Sequence, residues 1–155
     1  MWRVDGVEAH ARFAGARVAR LATVAADGRP HLVPVTFAVE GDTVYTAIDD
    51  AKPKATLRLA RLRNIAANPA VALLADHYDD DWAALWWVRA DGRARVVEPD
   101  EPEAARGREL LAARYEQYTA APPPGAVIAV AVERWSGWAA TGGAPPARGG
   151  RAVPR

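Results

Sequence analysis

The chain contains no cysteine, which excludes disulfides, thiolate metal ligands and cysteine nucleophiles. It has no excess of charge of one sign: 20 basic and 19 acidic residues leave a formal +1. A dedicated nucleic-acid binder carries a basic face or a high pI, so no nucleic-acid partner is expected. No apolar run approaches the roughly 20 residues of a membrane-spanning helix. The opening MWRVDGVEAH holds no apolar core of signal-peptide length. The expectation is a soluble, cytoplasmic protein with no membrane partner. There is no internal repeat. Lysine is scarce to an unusual degree: Lys52 and Lys54 are the only two, and every other basic side chain is arginine.

What is present is a chain of 155 residues, half of them hydrophobic, enough to bury a core within one domain. Residues 1–141 read as that domain and 142–155 as a flexible Gly/Pro/Arg-rich tail. Residues 5–16 read as a short helix capped by Asp5. From 17 to 48, three β-rich runs are punctuated by Asp27-Gly28 and Gly41-Asp42, the pattern of a three-stranded antiparallel meander. Pro34 inside the second run marks a sheet edge, a bulge, or a strand that faces something other than a strand. Lys54 to Ala67 carries apolar residues at helical spacing and stops at Asn68-Pro69. AVALLAD (70–76) is a buried strand, and LWWVRADGRARVV (85–97) a long one with a bulge at Asp91-Gly92. Residues 98–120 read as a helix with prolines and acids at its front, and 125–140 as the last strand. Six strands with short hairpins and few helices suggest a small closed or split β-barrel with its helices outside.

Lys54, Arg58 and Arg61 follow i, i+4, i+7 spacing and share one stripe of the helix, with Lys52 just ahead of it. Cations gathered at a helix N-terminus make an anion site, and phosphate is its usual occupant. Lysine suits phosphate as a point charge, arginine as a planar fork. The competing reading is a solvated basic face, with Asp49 and Asp50 as partners. The adjacent acids of DHYDDD (76–81) read as a solvated loop, not a metal site, because no second cluster supplies the remaining ligands. His10 and His31 lack the Ser or Asp pattern of a nucleophilic triad and read as structural. Arg89, Arg93 and Arg95 alternate on one face of a strand, a solvated face by default. Strand alternation sends Trp86 and Trp87 to opposite faces, so at most one points inward.

RVARLATVAADGRPHLVPVTFAVEGDTVYTAI, RNIAANPAVALLAD and WVRADGRARVV occur in an order and spacing that resembles the pyridoxamine 5'-phosphate oxidase-like family of FMN- and F420-binding split barrels. The segments DDAKPK, HYDDDWAALWWVRADG and RWSGW resemble its F420-dependent subgroup. The resemblance implies a mainly β fold, a six- to seven-stranded antiparallel split β-barrel of the FMN-binding type with flanking helices. It implies a homodimer with cofactor sites at the interface, and a hydride exchanged between coenzyme F420 and a small unsaturated substrate. FMN with oxidase or reductase chemistry, or a non-enzymatic cofactor-binding protein, is the alternative. On this resemblance the phosphate falls to Lys52, Lys54, Arg58 and Arg61. The ring falls beside Val33, Pro34, Val35, Thr36, Thr46 and Ala47. Trp87 stands where many relatives carry a polar residue, so stacking replaces a hydrogen bond there. Trp135 and Trp138 fall in a region used near the partner subunit's cofactor, or else pack a dimer. The cofactor carries the chemistry, so no side chain need be a nucleophile; the proton donor is open between Tyr78, His77 and water, and no metal is expected.

Overall fold

A computed structural model describes residues 2–48 and 55–141 of the chain, with the side chains of residues 55–59 outside that set. Strand β1 (Trp2–Val4) leads into helix α1 (Gly6–Gly15). There the Asp5 carboxylate accepts from the Glu8 amide at 2.8 Å, satisfying one of the open donors of a first helical turn. Ala9, Arg12 and Phe13 form the buried side of α1. Strands β2 (Ala19–Val24) and β3 (Pro30–Val35) follow, then β4 (Ala38–Glu40) and β5 (Thr43–Ala47). The two tight turns place Gly28 at φ 85° and Gly41 at φ 58°, a region that side chains with a Cβ rarely adopt. Helix α2 (Ala55–Ala67) precedes β6 (Ala70–His77), and a one-turn helix at Trp82–Ala84 precedes the long β7 (Trp86–Val97). Helices α3 (Pro102–Arg114) and α4 (Glu116–Ala120) lead to β8 (Val127–Ala139).

The eight strands make one sheet in the order β3-β2-β6-β7-β8-β5-β4, with β1 paired to the far end of β8. Every pairing is antiparallel. The ends of this path, β3 and β4, are separated in the chain only by Thr36 and Phe37, so the sheet curls on itself without closing. Phe13, Leu21, Phe37, Val44, Leu73, Val88, Ile128 and Val130 fill the interior, all fully buried.

The expected six or seven strands become eight, and the expected meander is corrected. β2 pairs with β3 and β4 with β5, but β3 and β4 do not pair with each other. The cause is Phe37. Its ring packs against Phe13 at 4.7 Å. Its backbone finds partners on the α3–α4 junction instead of a strand: the amide donates to the Tyr115 hydroxyl at 3.1 Å, and the carbonyl accepts from Tyr115 Oη and from Arg114, both at 2.9 Å. Backbone groups satisfied this way have no need of a ladder. The same contact explains why the helix expected over 98–120 is two. Tyr115 is extended, at φ −122° and ψ 119°, and its ring turns in to meet Phe37 and Arg17. Three residues left unassigned by the sequence pattern, Trp2 to Val4, supply the eighth strand against Gly137–Ala139.

Other expectations hold. Pro34 lies on an edge strand, since β3 has β2 as its only neighbour, where a missing amide is tolerated. The bulge falls between Asp91 and Gly92, though the extra residue is Glu133 of the facing strand: Asp91 sits opposite Arg134 and Gly92 opposite Val132. A Cβ on Gly92 would run into the Ala131 carbonyl, so β7 and β8 could not approach as they do with any other residue there.

Candidate functional site

Helix α2 is fastened to β2 from inside. Leu62 and Ile65 pack into the core, and the Asn64 amide donates 3.1 Å to the Thr23 hydroxyl; both residues are buried. One turn back on this fixed helix is Arg61, half-buried. Its Nε is shielded from solvent and has no hydrogen-bond partner among the described residues. Burial pushes its pKa below the ordinary arginine value. A shielded guanidinium nitrogen with no acceptor among the described residues is a donor suited to an anion. Of the other cations expected in the phosphate grip, Lys52 and Lys54 lie outside the described residues, as does the side chain of Arg58.

The expected ring-side residues fall into two sets. Val33 is half-buried and Pro34 exposed on edge strand β3, whereas Val35, Thr46 and Ala47 are buried. The structure joins Thr36 to Thr46: the Thr46 hydroxyl donates to the Thr36 carbonyl at 2.8 Å, and Thr36 Oγ1 lies 2.9 Å from the Tyr118 hydroxyl. Thr36 also lines a cleft of about 380 Å³ with Arg17, Tyr115 and Tyr118. Ala47 packs with Ala38, Leu111 and Tyr115.

Trp87 and Trp138 come together elsewhere. They sit directly opposite each other on β7 and β8. As alternation predicts, Trp86 turns toward the core, with the Arg12 guanidinium 5.6 Å from its ring, while Trp87 turns outward. Opposed residues on antiparallel strands share a face. On the outer face, successive rungs are therefore Arg3–Trp138–Trp87, then Ser136–Arg89, then Arg134–Asp91. Helix α3 covers the other end of this face, where Ala104 packs on Val97, Val127 and Ala129. Over the tryptophan rungs lies a cleft of about 670 Å³. Trp135, on the opposite face of β8, packs edge-on to Phe13 at 5.4 Å and donates to Asp42 at 2.9 Å.

Arg3, Arg89, Arg134 and Ser136 line this cleft and were not singled out by the sequence as site residues. The signal existed: 134, 136 and 138 in RWSGW, and 87 and 89 in WWVR, alternate with period two. Arg3 was out of reach, because nothing in three N-terminal residues announces a strand. Arg93 and Arg95 are exposed, as expected of a solvated face, and Arg95 also bonds Glu103 of α3. In DHYDDD, His77 Nε2 lies 2.9 Å from Asp79. Among the described residues no group of three metal-ligating side chains converges, and no helix is long and apolar enough to cross a membrane.

The family model for pyridoxamine 5'-phosphate oxidase matches residues 7–139. The chain belongs to that family. A search of curated proteins finds no match. Among solved structures, a FAD-binding protein of Mesorhizobium loti is similar at 22% identity and TM-score 0.66, with 88% of this chain and 95% of that one covered. The FAD-binding protein of Mycobacterium smegmatis is similar at 22% identity and TM-score 0.60, covering 89% and 97%. The heme storage protein HutZ of Vibrio cholerae is similar at 19% identity and TM-score 0.61, covering 81% and 87%. At these identities the likeness is one of fold. The mainly β, antiparallel split-barrel architecture with flanking helices is the fold of the family.

Proposed function

We propose that this chain is an F420-dependent oxidoreductase that acts as a homodimer, each cofactor held between two copies. The observation that carries the reading is Arg61: a half-buried guanidinium whose shielded Nε has no partner among the described residues, on a helix pinned by Asn64 to Thr23. It stands at the end of the stripe that Lys52, Lys54 and Arg58 begin in the sequence. That stripe suits a phosphorylated cofactor with a further acidic tail, and it would neutralise the phosphate. When bound and reduced, the cofactor supplies a hydride.

The remaining roles follow from placement. The open edge of β3, with Val33 half-buried and Pro34 exposed, offers an apolar border for a ring. Thr36, fixed by Thr46 and Tyr118, holds the break between β3 and β4 rigid beside it. Trp87 and Trp138 exclude water from the opposite side. The need for two copies rests on the spacing along β8: Thr46 faces Ile128 and Trp87 faces Trp138. Ten residues of extended strand run roughly 33 Å at about 3.3 Å per residue, too far for both ends to enclose one ring within a single copy. No side chain is assigned as proton donor, and water serves.

A flavin in the same seat is the second reading, favoured by the two FAD-binding proteins among the similar folds. Titration of the cofactor-free protein with F420, FMN and FAD, followed by fluorescence, separates the two. Tight F420 binding with weak flavin binding supports the proposal, and tight flavin binding with none for F420 overturns it. Oxidation of reduced F420 in the presence of activated alkenes and quinones then tests the enzymatic step. Silence across that panel despite tight binding would make the chain a cofactor-binding protein and not an enzyme.

A further inference from the structure

The outer-face cleft over β7 and β8 has a composition that the cofactor grip does not account for. Its floor is the indole pair Trp87 and Trp138. Its charged lining is three arginines, Arg3, Arg89 and Arg134, against one carboxylate, Asp5. That carboxylate is engaged as the cap of α1. Arg89 lies 5.9 Å from the Trp87 ring and donates through Nε to Asp91 at 2.9 Å. Arg3 and Arg134 are exposed and have no carboxylate partner among the described residues. Two polar atoms in the same lining, Trp138 Nε1 and Ser136 Oγ, are shielded from solvent with no hydrogen-bond partner among the described residues. Buried polar atoms are almost always paired, and an indole N–H can only donate. What this cleft lacks is an acceptor.

We propose that the cleft is the substrate seat and that its substrate is a planar conjugated acid. The flat part lies against Trp87 and Trp138, where indole faces favour stacked or edge-on rings. The carboxylate, an acceptor with no donor of its own, takes the Ser136 hydroxyl, the Trp138 N–H and the guanidinium of Arg3 or Arg134. The rungs set the size. Ser136 is one same-face step from Trp138, about 7 Å, and Arg134 two steps, about 13 Å, at roughly 3.3 Å per residue. An acid group on the edge of a two-ring system centred over the tryptophans points toward the middle rung, with a guanidinium on either side. The assignment of this ligand as substrate rests on the oxidoreductase reading above; the binding chemistry of the cleft does not.

The test uses 2-naphthoate as the acid and 2-naphthamide as its uncharged counterpart, titrated calorimetrically into the full chain with and without saturating F420. The naphthoate is expected to bind the cofactor-free chain at least tenfold tighter than the amide, to keep that preference with F420 bound, and to weaken with added salt. The double variant Arg3→Ala/Arg134→Ala should lose tenfold or more in naphthoate affinity, with an unchanged thermal midpoint and F420 and FMN affinities within twofold of the parent. Equal affinity for acid and amide, or binding of neither to the cofactor-free chain, overturns the proposal. So does a parallel fall in cofactor affinity in the variant, which would give the arginines to the cofactor's acidic tail. Failure of the cofactor reading alone would leave the naphthoate result intact on the cofactor-free chain and show in the cofactor titration instead.

Discussion

Asn64 of α2 reaches 3.1 Å to the hydroxyl of Thr23 on β2, a side-chain bond buried between a helix and the sheet it covers. Removing either partner strands the other without water. Asn64→Ala is therefore expected to cost about 1–3 kcal/mol in urea unfolding, the penalty of an unsatisfied buried group. The double variant Asn64→Leu/Thr23→Val should cost less than the sum of the two single changes. A strictly additive cycle would show that the bond does not couple the helix to the sheet.

Arg61 is the opposite case, a half-buried cation whose shielded Nε has no partner among the described residues. Arg61→Met should leave stability unchanged or raise it by up to about 1 kcal/mol, since an uncompensated ion is costly to bury. The same substitution should weaken cofactor binding tenfold or more, because a charge-assisted hydrogen bond contributes about 1.5–3 kcal/mol. Urea midpoints and fluorescence titrations with F420 and FMN read the two effects separately.

The two lysines are expected to act in the same grip. Lys52→Ala/Lys54→Ala should lower cofactor affinity tenfold or more, again at about 1.5–3 kcal/mol for each charge-assisted bond. Binding that survives the change would return Lys52 and Lys54 to an ordinary solvated face.

Two glycines predict opposite outcomes for one substitution. At Gly137 an added Cβ would stand 2.6 Å from the Trp87 carbonyl, 2.7 Å from Val88 Cγ1 and 2.8 Å from Val4 Cγ2. Gly137→Ala should cost about 3 kcal/mol, as overpacking does where backbone cannot yield. At Gly15, the last residue of α1, a Cβ meets nothing within 4 Å. Gly15→Ala should stabilise by about 0.4–1 kcal/mol through the unfolded chain. Thermal melts of the two variants suffice.

The Arg95–Glu103–Tyr45 contact between β7, α3 and β5 makes stability depend on pH. The hydrogen bond from Arg95 holds the Glu103 carboxyl below its ordinary pKa, and the Tyr45 hydroxyl adds a second donor at 3.1 Å. A lowered carboxyl pKa stabilises the fold above the unfolded value, about pH 4.3, and that gain is lost as pH falls through the lowered one. Tyr45 has the reverse sign: burial and the nearby carboxylate raise its pKa, so its share persists below about pH 10 and is lost as pH rises. Glu103→Gln should cost less than about 1 kcal/mol at pH 6, because Arg95 is exposed. The gap between parent and variant should narrow at pH 3, as read from urea midpoints.

Strands and helices with strong periodicity were legible in the sequence. Asp5 capping α1, the stop at Asn68-Pro69, the edge placement of Pro34 and the shift at Asp91-Gly92 all follow from residue chemistry that acts locally. The failures were non-local. Nothing near Thr36 says that Phe37 will be gripped by Tyr115 and Arg114, almost eighty residues on. The same contact split both the meander and the helix. Of the site, the tryptophan pair could be placed by alternation, but the cleft's arginines depend on which strands are neighbours. Arg3 in particular meets Trp138 only through β1, a three-residue strand.

Strand β8 pairs with β7 along its length, with β5 over Thr43–Ala47 and with β1 over Trp2–Val4. It is also the last of the eight to leave the ribosome. At roughly 5–20 residues per second, three strands wait for their shared neighbour with open edges, and the second residue of the chain cannot find its partner until the 139th has been made. Such distant pairing is slow. The nascent chain should therefore be a chaperone client until its final segment emerges, and truncation just before Val127 should yield aggregate, not a smaller barrel.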